Sequence, residues 1–262
     1  MSRSRTDVGS WPAFFPIKGG EYDVYHFPHR SVCEAVVDAI EGLERDVGTL
    51  LDIGCGTGNE TLLLGDMLDA GYVVGVEPAA SMVRRARAKK KGVWLRAVGE
   101  ALPFPDGIAD VVTCFFALHH FSDLSLALNE MRRVLRGGGQ IALVTVSHDQ
   151  LGQSLEYRFF SGLFAHDVER VPLLEDVLSL LKDLGFFVRT CEVEYERRPV
   201  DLRYYRMMAS RYRSGLRQLT DLQLTQGLAK IREVIGRGGA DDEDVIHCTV
   251  VHGNLLETPS GK

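Results

Sequence analysis

The sequence predicts an α/β protein built on a doubly wound parallel sheet, and three observations support this. Over residues 47–147, apolar runs of strand length alternate with segments whose apolar residues recur at helical spacing. The first apolar run leads into a glycine-rich stretch, LLDIGCGTGNE, at residues 50–60. The second run, YVVGVE, ends in an acidic residue, Glu77. Such alternation is typical of parallel strands joined by crossover helices that cover both faces of a sheet.

The predicted elements follow in order from the N-terminus. A loose arm over residues 1–20 precedes a helix from about Ser31 to Leu43. The strand TLLDIG leads into the helix NETLLLGDMLDAG, and the strand YVVGVE into the helix AASMVRRARAKK. The strands VWLRAV and DVVTCFFA come before the helix SDLSLALNEMRRVLR, for which Ser122 is the expected N-cap and Gly137–Gly139 the expected stop. QIALVTV is the fifth strand.

After His148 the alternation changes. PLLEDVLSLLKDLGF still predicts a helix and FVRTCEVEYE a strand, but residues 200–236 are predicted to be helical. GRGGADDED then predicts a flexible turn, VIHCTVVHG a final strand and TPSGK a disordered end. A helical insert is therefore expected between the last two strands.

Composition and charge narrow the class of protein. The chain has 262 residues, of which 45% are hydrophobic, and this suits one large globular domain or one domain with an appendage. The net charge of -6 disfavours non-specific binding to nucleic acid or to an anionic membrane. No apolar run is long enough to span a bilayer, and MSRSRTDVGSWP lacks the apolar core of a signal peptide. We therefore expect a cytoplasmic protein that binds neither nucleic acid nor membrane.

The cysteines give no sign of a metal site or of disulfide bonds. They are odd in number and scattered, and none forms a CxxC pair. We expect reduced thiols and no metal. The five cysteines are Cys33, Cys55, Cys114, Cys191 and Cys248.

The glycine loop indicates where a ligand binds. In doubly wound folds, ligands lie where the carboxyl ends of strands meet the N-termini of helices, and glycines let a ligand approach the backbone closely. The run Gly54-Cys55-Gly56-Thr57-Gly58 has the pattern GxGxG. A dinucleotide fingerprint requires its third glycine one residue later. The alternative is that the glycines only make a tight turn and pack a helix against a strand.

Two carboxylates favour a cationic ligand that carries a ribose. Asp52 lies just before the loop, where it would repel a pyrophosphate and attract an ammonium or sulfonium group. Glu77 follows 25 positions later (77 − 52), where such folds place a carboxylate that accepts hydrogen bonds from ribose hydroxyls. A ribose next to a cationic group describes S-adenosylmethionine.

Five motifs, in order, resemble those of the class I S-adenosylmethionine-dependent methyltransferases. They are LLDIGCGTGNETLLL, VVGVEPAASMVRRAR, GEALPFPDGIADVV, FFALHHFSD and EMRRVLRGGGQIAL. The chain is similar in particular to the branch of ubiquinone/menaquinone biosynthesis enzymes and small-molecule methyltransferases. The resemblance is strong over residues 47–147 and weaker over 173–190 and 245–252. It implies a Rossmann-like sheet of seven strands, mostly parallel, with an antiparallel last strand.

We expect three parts in the chain. Residues 1–46 would form an N-terminal arm and helix that act as a lid. Residues 47–196 and 245–256 would form the domain that binds S-adenosylmethionine. Residues 197–244 would form the helical insert, which covers the substrate.

The resemblance also implies the residues that bind the cofactor. One departure concerns the adenine: Val98 stands where the family often has an acidic residue, so that contact is either lost or supplied by Glu100. A second departure is His26, which stands near where relatives often have an arginine. The expected cofactor-binding residues are Asp52, Gly54, Cys55, Gly56, Gly58, Glu77, Pro78, Met82, Gly99, Glu100 and Phe116.

Three histidines are candidates for a general base. Methyl transfer needs positioning and exclusion of water, and it needs a base only where the nucleophile must lose a proton. His119 and His120 follow the fourth strand, and His148 follows the fifth. Histidine titrates near neutrality, which suits proton transfer. The alternative for each is a packing or hydrogen-bonding role.

The expected substrate contacts are Tyr25 and His26 in the arm and Arg206 and Tyr212 in the insert. Residues 196–217 are rich in arginine and tyrosine, which would hold an anionic or aromatic substrate by guanidinium pairing and stacking. The alternative for the arginines is a solvated helix face that makes salt bridges.

The sequence thus predicts an enzyme that transfers a methyl group from S-adenosylmethionine to an oxygen, nitrogen or carbon atom of a small aromatic or anionic acceptor. The enzyme would be a monomer or a homodimer. The alternative is a non-catalytic protein that binds S-adenosylmethionine, or scaffolds a partner, on the same fold. Methyl transfer to any acceptor distinguishes the two.

Overall fold

The computed structural model describes residues 28–40, 46–237 and 242–255. The predicted arm over residues 1–20 lies outside the described residues, as do Tyr25, His26, part of the predicted turn GRGGADDED and the end TPSGK. Within these ranges, no helix has the length and apolar character needed to cross a membrane.

Strands and helices alternate along the described chain. The strands are β1 (Thr49–Ile53), β2 (Tyr72–Val76), β3 (Val93–Leu95), β4 (Ala109–Phe115), β5 (Leu135–Thr145), β6 (Phe186–Pro199) and β7 (Glu243–Leu255). The helices are α1 (Arg30–Ile40), α2 (Asn59–Met67), α3 (Ala80–Ala88), α4 (Leu124–Val134), α5 (His148–Gln153), α6 (Glu156–Phe159), α7 (Leu163–Arg170), α8 (Leu174–Asp183), α9 (Leu202–Ala209), α10 (Ser214–Arg217) and α11 (Asp221–Gly236). A short 3-10 helix, Leu118–His120, follows β4.

The sheet confirms the predicted doubly wound architecture. Its seven strands lie in the order β3-β2-β1-β4-β5-β7-β6. Strands β1 to β5 run parallel, whereas β7 pairs antiparallel with both β5 and β6. The strand order reverses between β1 and β4. The carboxyl ends of these two strands therefore flank the switch point at which open α/β sheets bind ligands.

Helices cover both faces of the sheet because successive side chains of a strand point to opposite sides. Leu50 and Val111 belong to the apolar cluster under α1 and α2. Their neighbours Leu51 and Val112 belong to the cluster under α4 and α8. Every residue of β4 is buried, as expected for a central parallel strand with helices on both sides.

Both ends of α4 differ from the prediction. The N-cap is Asp123, whose carboxylate accepts a hydrogen bond from the first turn, and the prediction of Ser122 was wrong. Ser122 instead donates its backbone N–H and its hydroxyl to Glu100 Oε1, at 2.7 and 2.8 Å. The helix ends at Val134, so Gly137–Gly139 do not stop it but lie within β5.

The last two strands are longer than the sequence pattern predicts. They stay paired from Phe186 opposite Leu255 to Pro199 opposite Glu243, with an irregularity between Glu194 and Glu196. The expected start of the insert at residue 197 therefore falls inside β6. This long antiparallel pair carries side chains from its outer end to the cavity described below.

A second apolar core lies beside the sheet, and we call the helices that form it (α6, α7 and α9–α11) the helical cap. Its buried centre includes Phe160, Tyr204, Met208 and Ile231. Gly227 of α11 is in close contact with Phe160, because a Cβ atom there would lie 2.1 Å from the ring. The predicted insert is helical as expected, but it shares this core with α6 and α7, which the sequence pattern did not predict.

We predict that Gly58→Ala destabilises the fold. Gly58 has a φ of 76°, and an added Cβ would lie 2.3 Å from the Trp94 ring. Left-handed strain of roughly 1–2 kcal/mol and overpacking of about 1–3 kcal/mol should lower the free energy of unfolding. Urea unfolding followed by circular dichroism measures the change. Gly236→Ala is the control, because a Cβ there meets nothing within 4 Å; an equal loss in both variants would contradict the packing role of Gly58.

Candidate functional site

A cavity of about 550 Å³ opens at the carboxyl ends of β1, β2 and β4. This volume falls within the range of about 300–1,000 Å³ that is usual for small-molecule sites. One half of the cavity, the loop half, is lined by Asp52, Gly54, Cys55, Gly56, Thr57, Glu77, Pro78, Ala79, Met82, Gly99 and Glu100. The other half, the cap half, is lined by Gln150, Ser154, Glu156, Tyr157, Tyr212, Arg213 and Ser214.

The cavity brings together most of the cofactor contacts that the sequence predicts. Phe116 lines the cavity, and so do the predicted residues of the loop half that are named above. Gly58 is the exception, because it lies beneath the Trp94 ring and outside the cavity lining.

The loop glycines Gly54 and Gly56 play different structural roles. Gly54 has a φ of 77°, and a Cβ there would lie 2.6 Å from Ala117 Cβ, so its position is set by packing. Gly56 has a φ of 56°, and a Cβ there would meet nothing within 4 Å. Gly56 therefore presents bare backbone to open cavity, which is the geometry that lets a ligand approach closely.

Glu77 lies across the cavity floor from the glycine loop. Its Oε2 accepts a hydrogen bond from Gly56 N at 3.2 Å, and its Oε1 accepts one from Ala79 N at 2.8 Å. Burial raises the pKa of Glu77, and these two hydrogen bonds oppose that shift. Because each carboxylate oxygen has a second lone pair, the group can still accept hydrogen bonds from hydroxyls of a ligand.

Asp52 is a buried carboxylate at the end of β1. Its Oδ1 accepts a hydrogen bond from the Thr113 hydroxyl at 2.9 Å, and its Oδ2 accepts one from the Thr61 hydroxyl at 2.5 Å. Burial raises the pKa of Asp52 to about 7, against the effect of both hydroxyls. A cation bound in the cavity would favour the ionised form.

The two carboxylate oxygens of Glu100 differ in their hydrogen bonds within the described residues. Oε1 accepts the hydrogen bonds of Ser122 described above. Oε2 is buried and has no hydrogen-bond partner among the described residues, although Glu100 lines the cavity. A buried acceptor of this kind is costly unless a ligand donates to it.

An aromatic corner lies between the two halves of the cavity. Phe116 has a φ of 50°, a conformation that costs a non-glycine residue about 1–3 kcal/mol and that clusters at functional sites. The Tyr195 ring lies 5.2 Å from the Phe116 ring and 4.9 Å from the His29 ring. His29 in turn lies 3.3 Å from Glu60 and 3.5 Å from Glu196. Although burial alone would lower it, the neighbouring carboxylates of Glu196 and Glu60 raise the pKa of His29 to about 9, so this ring is a cation at neutral pH.

The three histidines that the sequence singled out lie in two different places. His119 and His120 line the cavity, with ring centroids 4.0 Å apart. Burial lowers the pKa of His119 well below its usual value, and burial together with Arg170 lowers the pKa of His120 to about 4. His148 lies outside the lining, where its Nε2 donates to the Val171 carbonyl at 2.9 Å.

The predicted substrate residues are also divided. Tyr212 lines the cap half, while Arg206 is exposed on α9 and does not reach the lining. The Tyr212 hydroxyl donates to Glu156 at 2.6 Å and accepts a hydrogen bond from Arg198 at 2.6 Å. Arg213 donates to Glu156 at 2.5 Å and to Asp167 at 2.7 Å. Glu156 thus joins β6 to the segment before α10.

Several cavity residues were missed by sequence reasoning. Glu156, Tyr157 and Gln150 lie in helices that no motif marks, and Tyr195 reaches the cavity through the irregular pairing of β6. The run SLEYRFF, which is rich in aromatic and charged residues, could have indicated Glu156 and Tyr157 as candidates.

Comparison with known proteins identifies methyltransferases as relatives of this chain. The family model of a methyltransferase domain matches residues 51–143. A demethylmenaquinone methyltransferase of Thermus thermophilus is 32% identical over 171 residues, which cover 56% of this chain and 78% of that enzyme. A demethylmenaquinone methyltransferase of Lactiplantibacillus plantarum is 35% identical over 145 residues, which cover 48% of this chain and 61% of that enzyme. The second match therefore spans less than two thirds of the relative.

A solved structure supports the fold. A methyltransferase from Anabaena variabilis, assigned to an antibiotic biosynthesis pathway, superimposes with a TM-score of 0.72. The match covers 87% of this chain and 98% of that chain at 22% sequence identity. At this identity the likeness concerns the fold alone.

We predict that Asp52→Asn removes a pH dependence of stability. Because the pKa of Asp52 rises to about 7 on folding, the folded protein holds this proton more tightly than the unfolded chain does. The carboxylate therefore stabilises the fold less as pH rises from about 4 to about 7. Relative to wild type, the free energy of unfolding of Asp52→Asn should rise by about 1 kcal/mol per pH unit across this window.

Urea unfolding at several pH values in this window measures the trend. Asp183→Asn is the matched control, because Asp183 is an exposed carboxylate at the end of α8. It should follow the wild type at every pH. Parallel curves for Asp52→Asn and wild type would contradict a raised pKa at Asp52.

Proposed function

This chain belongs to the S-adenosylmethionine-dependent methyltransferases, in the branch of the menaquinone and ubiquinone biosynthesis enzymes, and from that premise we propose that it methylates a small acceptor held in the cap half of the cavity. The cofactor would occupy the loop half. The loop half lies at the switch point of the sheet, and the cap half lines the same cavity, so that one ligand can face the other.

The observation that supports the proposal most directly is the open backbone at Gly56. A bare backbone with a φ of 56° faces empty cavity, and its N–H group is held by Glu77. The bare backbone lets a ligand approach closely, and the hydrogen bond to Glu77 holds the loop in position beside it. Asp52 would attract the cationic methionine part of S-adenosylmethionine, and Glu77 would accept hydrogen bonds from its ribose.

Glu100 fits the adenine edge. The family's usual acidic residue is Val98 in this chain, but the buried Oε2 of Glu100 has no partner within the described structure. An adenine 6-amino group is a donor that would satisfy it. We therefore assign the lost contact to Glu100.

The residues around the acceptor hold it in position and exclude water, and they do not move a proton. When bound, S-adenosylmethionine supplies an electrophilic methyl group and leaves as S-adenosylhomocysteine. His119 and His120 would stay neutral near pH 7 because burial lowers the pKa of both. A base with so low a pKa is inefficient at this pH. We assign these two rings hydrogen bonds to the acceptor, and His148 a structural role at the Val171 carbonyl.

The acceptor we propose is a small aromatic molecule. Phe116, Tyr157, Tyr195 and Tyr212 give the cavity flat walls that suit a planar ring. The relatives named for demethylmenaquinone agree with a ring-bearing acceptor. Retained methyl transfer to such a molecule would exclude a non-catalytic scaffold.

We predict that Glu77→Ala weakens S-adenosylmethionine binding at least tenfold, about 1.4 kcal/mol, because it removes the ribose acceptor and frees the Gly56 N–H. Equilibrium dialysis with radiolabelled S-adenosylmethionine measures the dissociation constant. Glu175→Ala, at an exposed carboxylate on α8, should bind as the wild type does. Unchanged affinity in Glu77→Ala would remove this residue from the site.

We predict that Glu100 distinguishes adenine from hypoxanthine. S-inosylhomocysteine carries an oxygen where S-adenosylhomocysteine carries the 6-amino group, so the Glu100 carboxylate should reject it by about tenfold or more. In Glu100→Gln the side-chain amide can donate to that oxygen, and the preference should shrink. Competition binding with the two analogues measures the ratio. An equal ratio in wild type and Glu100→Gln would show that the adenine edge lies elsewhere.

A further inference from the structure

Arg170 lies at the end of α7, directly behind the wall of the cap half. Its guanidinium lies 3.5 Å from the Ser214 hydroxyl and 3.4 Å from His120 Nδ1. Ser214 and His120 both line the cavity. The side chain is 21% exposed, so Arg170 is a largely enclosed cation one layer from the acceptor.

The contacts of Arg170 are long for a guanidinium. Within the described part of the chain its ion pair is with Asp167, at 4.0 Å, and charge-assisted hydrogen bonds are normally about 2.7–2.9 Å. Asp167 already accepts short hydrogen bonds from Arg213 at 2.7 Å and from the Tyr157 hydroxyl at 3.0 Å. The Asp167 charge is therefore held mainly by Arg213, and Arg170 stays weakly compensated.

The neighbouring charges make this end of the cavity favourable to an anion. Burial is the main cause of the lowered pKa of His119 and His120; Arg170 lowers both further, Arg213 adds to the effect at His119, and Arg217 adds to it at His120. The carboxylate that faces the same space, Glu156, accepts from Arg213 at 2.5 Å and from the Tyr212 hydroxyl at 2.6 Å. The surplus charge beside the histidine pair is therefore positive.

We propose that Arg170, together with the Ser214 hydroxyl, binds an anionic oxygen group of the acceptor, a carboxylate or a phenolate. This inference rests on the proposed methyl transfer and names the class of acceptor that the cap half takes. An anion that enters between Ser214 and His120 replaces the long contacts of Arg170 with short charge-assisted hydrogen bonds. A cationic amine in the same place meets unfavourable charge.

The test uses benzoate and benzamide as probes, because they have the same shape and differ in charge. Each is titrated against the full-length protein saturated with S-adenosylhomocysteine, and binding is followed by ligand-observed nuclear magnetic resonance. We expect wild type to bind benzoate at least about tenfold more tightly than benzamide. Arg170→Gln should abolish the preference. Arg203→Gln, at an exposed arginine on α9, should keep it.

Two further variants protect the test against misfolding of Arg170→Gln. Arg170→Lys keeps the charge but loses the fork of donors, so it should keep part of the preference. Ser214→Ala removes only the hydroxyl and should reduce benzoate binding without affecting benzamide. A benzoate preference that is absent in wild type, or equal in wild type and the Arg170 variants, overturns the inference.

Calorimetric binding of S-adenosylhomocysteine separates this inference from the proposed function. Arg170→Gln and Arg170→Lys should bind S-adenosylhomocysteine as wild type does, because Arg170 lies beyond the loop half. Failure of wild type to bind it overturns the proposed function, and the inference with it. Binding of S-adenosylhomocysteine without a benzoate preference overturns only the assignment of Arg170.

Discussion

The edge of the sheet that carries the cavity depends on one buried carboxylate. Asp52 is 1% exposed, and it joins β1 to α2 through the Thr61 hydroxyl and to β4 through the Thr113 hydroxyl. These two hydrogen bonds therefore connect the end of β1 to the helix that follows the glycine loop and to the strand on the other side of the switch point. Glu77 then ties the end of β2 to Gly56. Internal hydrogen bonds therefore hold the backbone and the carboxylates of the loop half in position, and such preorganisation lowers the entropic cost of binding.

The cap half depends on a second buried acid. Glu156 accepts hydrogen bonds from Arg213 and from the Tyr212 hydroxyl, and it pairs with Arg198 of β6. A buried ion pair of this kind adds little net stability, but loss of one partner leaves a costly unpaired charge. The network holds Tyr212 and Arg213 at the cavity wall. It is also the reason that Arg170, which shares Asp167 with Arg213, is left with long contacts and can bind an anion.

The sequence predicts the loop half much better than the cap half, for a physical reason. Strand and helix periodicity and the GxGxG run are local signals, and they predicted the doubly wound sheet and a ligand site at its carboxyl edge. The seven strands and the antiparallel last strand were implied by the resemblance to the methyltransferases. The cap half depends on partners far apart in the chain: Glu156 and Arg213 are 57 positions apart. The mistaken N-cap at Ser122 has the same origin, because its competing acceptor, Glu100, lies 22 positions away. The periodicity of apolar residues carries no information on hydrogen-bonded pairs that lie so far apart in the chain.

The measurement that tests the account most directly is calorimetric titration of the wild-type protein with S-adenosylmethionine and S-adenosylhomocysteine. Asp52, Glu77 and the open backbone at Gly56 predict that both bind at one site per chain, with dissociation constants on the order of micromolar. Binding of both at that stoichiometry would support the assignment of the loop half to the cofactor. If neither compound binds, the assignment is contradicted, because the open backbone at Gly56 would then serve only the turn in which it lies.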